Sequence, residues 1–176
     1  MSRIDALIAE LCPEGVEFLE LGQIFNMKAG KFISAADISE AHNSEHPYPC
    51  YGGNGIRGFV QTHNHDGKHL LIGRQGALCG NVKRADGKFY ATEHAVVCTG
   101  KGKVDMDWAF HVLTAMNLNQ YATKSAQPGL AVGTVEVVRA PLPPIEVQRE
   151  IVKVLDTFTK LEAELEAELE AELEAR

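Results

Sequence analysis

No stretch of the chain approaches the ~20 consecutive apolar residues that a membrane-spanning helix needs. The pattern of a secretory leader is missing as well, because Asp5 and Glu10 interrupt what would be its cationic and apolar parts. The expectation is a cytoplasmic protein with no membrane partner. Cysteine is sparse, at Cys12, Cys50, Cys79 and Cys98, and no two of these form a C-x-x-C pair. Without an export signal, such cysteines are expected to be small buried hydrophobes rather than disulfides. Catalytic signatures are lacking too. There is no H-E-x-x-H and no G-x-S-x-G, and GRQGALCG does not end in the Gly-Lys-Ser/Thr of a phosphate loop.

What remains for chemistry is thin. His63, His65 and His69 crowd the segment HNHDGKH, and Cys79 lies among glycines with His94 elsewhere. The alternative these residues offer is a small metal- or cysteine-dependent hydrolase with a coiled-coil tail. The histidine spacing, however, is not that of a ligand set, and Asp66-Gly67 reads as the tip of an exposed turn. No catalytic residue, cofactor or metal is expected.

Positive charge is also in short supply: the formal net charge is −7. Its location matters more than its size. Leu161 to Arg176 hold seven glutamates and one arginine, a net of −6, which leaves −7 + 6 = −1 for the rest. Between Glu20 and Arg139, twelve Lys/Arg face ten Asp/Glu, and all seven histidines lie there. Such a body is near neutral and can bind a polyanion if its bases cluster on one face.

Three regions can be read along the chain. Residues 1–15 contain a short amphipathic helix. Ser2 is a good N-cap, Asp5 completes a capping box, and Ile4, Leu7, Ile8 and Leu11 share one face until Pro13 and Gly15 end it. Residues 16–141 lose this period. VEFLEL, YPCYGG, GFVQT, HLLIG, FYATEHAVVCT and TVEVVRAP read as strands between turn residues, and twelve of the sixteen glycines fall between Gly30 and Gly102. One helix is predicted within this region, over Asp105–Tyr121, with Trp108, Val112, Ala115 and Met116 on one face. Residues 142–176 return to helix. Pro143 and Pro144 suit its start, and Val147, Ile151, Val154, Phe158, Leu161 and Leu165 follow a/d heptad spacing. The fold class is therefore α+β: a mixed, mostly β domain with short helices, then a long coiled-coil helix.

The last sixteen residues are LEAE three times followed by LEAR. Leucines every four residues drift about 40° per repeat around a helix of 3.6 residues per turn, so they make no straight heptad seam. Ala and Glu favour helix. The segment suits a spacer whose length changes in steps of about 6 Å, close to two base pairs of B-DNA.

Taken in order, LCPEGVEFLELGQIF, YPCYGGNGIRGFV, HLLIGRQGALCGNV, GKFYATEHAVV, SAQPGLAVGTVEVVRAPLPPIEVQREIVKVLDTF and the LEAE repeats resemble type I restriction–modification specificity subunits over nearly the whole chain. That resemblance implies a non-catalytic target-recognition domain for double-stranded DNA. It also implies a spacer helix that joins methyltransferase subunits and, through them, a restriction subunit. A typical member has two such domains and two long helices. This sequence has one of each, which implies a half that pairs with itself or with another half to read a bipartite, interrupted palindromic site.

On that reading, DNA contacts are expected from glycine-rich stretches bearing Lys, Arg, Asn and Gln. These are Lys28 and Lys31; Asn54 and Arg57; Arg74, Gln75, Lys83 and Arg84; and, more weakly, Lys124 and Gln127. Arg74 is expected to hold phosphate or brace a loop, whereas Asn54, Arg57, Gln75 and Gln127 suit base edges. The dimerisation seam is expected from Val147, Ile151, Val154, Phe158, Leu161, Leu165 and Leu169, and its apolar stripe would be exposed in a monomer.

Overall fold

The structure is a computed structural model and describes residues 2–174. The end of the last repeat lies outside that range. The chain forms two compact units, one of them Glu17–Leu142 and the other made from the segments on either side of it.

The larger unit opens with β1 (Phe18–Glu20), a one-turn helix α2 (Leu21–Ile24) and β2 (Phe25–Ala29). Next come β3 (Tyr48–Gly52), β4 (Gly55–Val60), β5 (His69–Gly73), β6 (Val82–Ala85), β7 (Tyr90–Ala91) and β8 (Ala95–Gly100). Two helices, α3 (Met106–Ala115) and α4 (Val132–Glu136), precede β9 (Arg139–Pro141). One sheet is antiparallel with order β2-β8-β5-β6. A second has order β4-β3-β7, in which β3 and β7 run parallel. A third pairs β1 with β9 and so brings the unit's two ends together.

Burial explains the order. HLLIG and AVVCT are continuous apolar runs, and Leu70–Ile72 and Val96–Cys98 are buried along their whole length. A strand with no polar face needs cover on both sides, which is the position of β5 and β8 in the middle of their sheet. VKRA is buried only at its ends, so β6 takes the edge, where its charges remain in water.

Three expectations are corrected here. Asp105–Tyr121 is not one helix. Asp105 caps α3 through its side chain, but Asn117 adopts a left-handed conformation (φ 47°) and a short 3-10 turn, Leu118–Tyr121, follows. The buried residues of α3 are Trp108, Ala109 and Leu113; of the residues expected to share a face only Trp108 is among them, and Ala115 is exposed. TVEVVRAP is not a single strand: Val132–Glu136 is helical and buries Val135 completely. The β preference of its valine and threonine is worth about 1 kcal/mol at most and yields to that burial. Conversely, the stretches NMKAGK and GRQGALCGNVKR, read as glycine-rich turns, are strand in part: Lys28 lies on β2, and Lys83 and Arg84 lie on β6.

The smaller unit holds α1 (Arg3–Leu11) and α5 (Ile145–Glu174). The predicted capping box is present: Ser2 Oγ accepts from Asp5 N at 3.1 Å, and Asp5 Oδ2 accepts from Ser2 N at 2.9 Å. Arg3 of α1 pairs with Glu150 of α5 at 3.5 Å. Pro144 stands just before α5, its carbonyl accepting the first helical bonds from Val147 and Gln148. With 30 residues, α5 is about 45 Å long.

Candidate nucleic-acid interface

The site is built around the turn Thr92–His94, which links β7 in one sheet to β8 in the other. Two of its carbonyls are held by Arg74: Glu93 O accepts from Nη1 at 3.1 Å, and His94 O accepts from the Arg74 amide at 2.9 Å. The Arg74 Nε donates to Leu130 O at 3.4 Å, and Leu130 N donates back to Arg74 O at 2.8 Å. Arg74 thereby ties the loop after β5 both to the β7–β8 turn and to the segment around Leu130. Its geometry is that of a brace, the second of the two roles considered for it.

The loop after β5 is fixed on its other side as well. Asn119 Nδ2 donates to Cys79 O at 2.8 Å and to Ala77 O at 3.4 Å. Gly80 sits at φ +86°, and a Cβ there would collide with the Asn119 backbone. Only glycine gives both that conformation and that approach. Gln75 forms an antiparallel bridge with Gly129, and Gly76 N donates to Pro128 O at 3.0 Å. Gln75, Lys124 and Gln127 are thus brought together, all with exposed side chains. Beside them, Lys124 and Thr123 help to line an open hollow of about 630 Å³.

The β3–β4 turn completes the group. Gly53 packs against His94 O and Gln75 O, and Asn54 Oδ1 accepts from Asn81 Nδ2 at 2.5 Å. Arg57 is exposed and occupies the bulge where the β3–β4 register shifts; its side chain covers Gly52. On β6, successive side chains leave on opposite faces. Lys83 reaches toward Gly55 of the turn. Arg84 goes the other way, with its guanidinium 3.7 Å from the centroid of the Phe110 ring and Nε 3.4 Å from Asp107 Oδ1. Arg84 is therefore engaged by α3 and set apart from the other candidates. Lys28 and Lys31 are exposed, and Lys31 N donates to Ala91 O at 2.9 Å, just before the Thr92–His94 turn.

Sequence reasoning missed that turn. Thr-Glu-His carries no binding motif, and its part emerges only from the backbone contacts that other segments make with it. Glu93 Oε1 lies 3.3 Å from His94 Nε2. Glu93 Oε2, His94 Nδ1 and Asn81 Oδ1 are buried with no hydrogen-bond partner among the described residues.

The residues of the rival hydrolase are occupied otherwise. His65 stacks on Phe89 at 5.3 Å and 12°, and burial lowers its pKa, with the charges of His69 and Lys31 acting in the same direction. His69 contacts Thr99 Oγ1 and Asp66 O, and His63 lies against Tyr48. The segment is more than an exposed turn, since Asn64 both accepts from Ala91 N (2.8 Å) and donates to Ala91 O (3.0 Å). Cys79 is 1% exposed and accepts a weak bond from Asn119. Among the described residues no group of three His, Cys, Asp or Glu is placed to hold a metal. No helix among them is long and apolar enough to cross a membrane.

Of the seam residues, Val147 is fully buried, which corrects its place in an exposed stripe, and Ile151 is half-buried. Val154, Phe158, Leu161, Leu165 and Leu169 are 40–60% exposed.

A mixed β domain with polar loops at the β7–β8 turn, followed by a long helix with exposed leucines, describes a recognition module attached to a helical arm. The family model for the type I restriction modification DNA specificity domain matches residues 13–175, and the chain belongs to that family. It is 60% identical over 141 residues to the EcoprrI specificity subunit of a type I restriction enzyme from Escherichia coli, covering 80% of this chain and 35% of that one. Two solved structures share the fold. One is described as the structural basis of complex assembly and conformational transition of the type I R-M system (TM-score 0.74, 20% identity, 97% of this chain and 47% of that one). The other is the S subunit of M. genitalium (TM-score 0.70, 16% identity, 82% and 40%). The chain thus spans about a third of the curated relative and under half of either solved chain.

Proposed function

We propose that the chain reads one half of a bipartite double-stranded DNA site, performs no chemistry itself, and works in the cytoplasm as the specificity element of a type I restriction–modification assembly. One observation carries this reading. The Thr92–His94 turn gathers loops from distant parts of the sequence, and Asn54, Arg57, Gln75, Lys83 and Gln127 stand on or beside them. Amide and guanidinium groups are the side chains that distinguish base edges in the major groove. Lys28, Lys31 and Lys124 supply phosphate contacts, which position the domain without specifying sequence.

The exposed part of α5 pairs with a second copy of the chain. Leucine at 52–71% exposure from Leu161 to Leu173 leaves an apolar stripe too long to stand alone in water. A two-fold pair presents two identical domains and selects an interrupted palindrome. The same helices recruit methyltransferase subunits and, through them, a restriction subunit.

The test is to purify the chain with a type I methyltransferase subunit and map methylated adenines on random DNA by sequencing. A single interrupted palindrome is the expected result. A non-palindromic bipartite site would replace self-pairing with a second, different half, and no methylation would overturn the reading. Deleting one LEAE repeat shortens α5 by about 6 Å and should shorten the preferred gap by about one to two base pairs.

A further inference from the structure

Phe32 is the most exposed of the large apolar side chains in the larger unit, at 75%. The backbone beneath it is held firmly. Gly30 N donates to Ala95 O at 3.0 Å, Lys31 N donates to Ala91 O at 2.9 Å, and Tyr90 Oη donates to Phe32 O at 3.1 Å. A Cβ at Gly30 would collide with the carbonyl oxygens of Ala91 and Thr92, so the segment lies as close to the β7–β8 turn as any residue allows. A single exposed apolar residue on a loose loop would need no explanation. Here a pinned backbone presents an aromatic ring to water, and burying such a ring is favourable.

The surroundings indicate what covers it. Lys28 and Lys31 precede Phe32 in the same segment, both exposed and neither in an ion pair among the described residues. Two unpaired ammonium groups suit a phosphate-bearing surface better than an apolar protein groove. The segment bonds to Ala91 and Ala95, the residues on either side of the Thr92–His94 turn to which Arg74 bonds and against which Gly53 packs, so Phe32 and the Asn54 and Gln75 loops are all tied to the same short stretch of chain. The apolar feature available to a ring beside amide readers in the major groove is the thymine methyl.

We propose that Phe32 is a specificity-determining residue whose ring packs on the 5-methyl group of a thymine in the target site. The proposal rests on the DNA-reading function above, and its test separates the two. The wild-type chain, with its methyltransferase subunit, is used to select a site from a random duplex pool. Each thymine of that site is then replaced singly by uracil, which removes the methyl and keeps the pairing. For the wild type, one replacement should weaken binding about four-fold, the effect of one buried methyl. Phe32→Ala should bind the thymine site about as weakly as the wild type binds the uracil site, and should be indifferent to that replacement. Its melting temperature should match the wild type, because the ring is exposed. Phe18→Ala removes another exposed aromatic, at 50%, from β1, and should leave both affinities unchanged. If Phe32→Ala binds like the wild type, or weakens binding while every uracil effect persists, the methyl contact is wrong and the DNA reading stands. If the wild type selects no site, both fall.

Discussion

The larger unit and the long helix use apolar residues in opposite ways. In the former, runs such as Leu70–Ile72 and Val96–Cys98 are consumed by the fold, and the surface keeps only scattered apolar side chains. In α5, exposure rises from 0% at Val147 to 40% at Val154, 60% at Phe158 and 71% at Leu173. Polar groups show the reverse. Arg74, Arg84 and Asn64 are engaged within the larger unit, whereas the glutamates from Glu162 to Glu172 are exposed and only Glu164 of them meets a cation, Lys160, among the described residues. The helix leaves its apolar residues exposed, and the domain buries its own. Stability and partner choice should therefore respond to different substitutions.

The sharpest break of this comparison comes from paired truncations. Ile72→Ala, at a fully buried position of β5, should destabilise the domain by about 2–5 kcal/mol in chemical denaturation. Leu165→Ala, at 58% exposure, should change domain stability by less than about 0.5 kcal/mol and instead weaken self-association in sedimentation. Loss of domain stability from the helix substitution would show that the two parts are not separable.

Arg74→Ala is next in size. It leaves the Glu93 and Leu130 carbonyls without their charged donor, at a cost of about 1.5–3 kcal/mol. Stability and DNA affinity should fall together, because the loop bearing Gln75 loses its brace. Arg57→Ala and Gln75→Ala, both exposed, should separate those readouts. Each should cost about 1–3 kcal/mol of binding to the selected site, with thermal melts unchanged. A melt shift as large as that of Arg74→Ala would make them structural as well.

Legibility followed the range of the interactions. The capping box of α1, the start of α5 after Pro143 and Pro144, and the central runs of β5 and β8 rest on contacts local in sequence or on a simple period, and could be read directly. The break at Asn117 could not be read, because nothing in the amphipathic spacing marks a left-handed residue. Val132–Glu136 was hidden by its β-branched residues, whose preference gives way to burial of Val135. At the candidate site the residue types were visible, but their grouping was not. The glycine-rich stretches pointed to loops, yet whether Lys83 and Arg84 shared a surface depended on their being adjacent in a strand, which sends one toward Gly55 and the other to Phe110. The Thr92–His94 turn is recognisable only through segments 20 to 60 residues away that bond to it.

The smallest expected effect concerns the ion cluster that removes Arg84 from the candidate surface. Asp107 receives Lys68 Nζ at 2.6 Å and Arg84 Nε at 3.4 Å. The hydrogen bond from Lys68 holds the carboxyl below the ordinary aspartate range, burial opposes this, and the charges of Lys68, Arg84 and His111 lower it further. A pKa depressed in the folded state contributes stability that is present above the unfolded value and is lost as pH falls through the folded one. Lys68 and Asp107 are 47% and 35% exposed, so solvent limits the contribution to about 0.2–1 kcal/mol. The stability difference between wild type and Asp107→Asn should therefore be flat above about pH 4 and shrink below it. A difference that persists undiminished to about pH 2 would mean that the charge of Asp107 is not what stabilises, and that Arg84 is held by Phe110 instead.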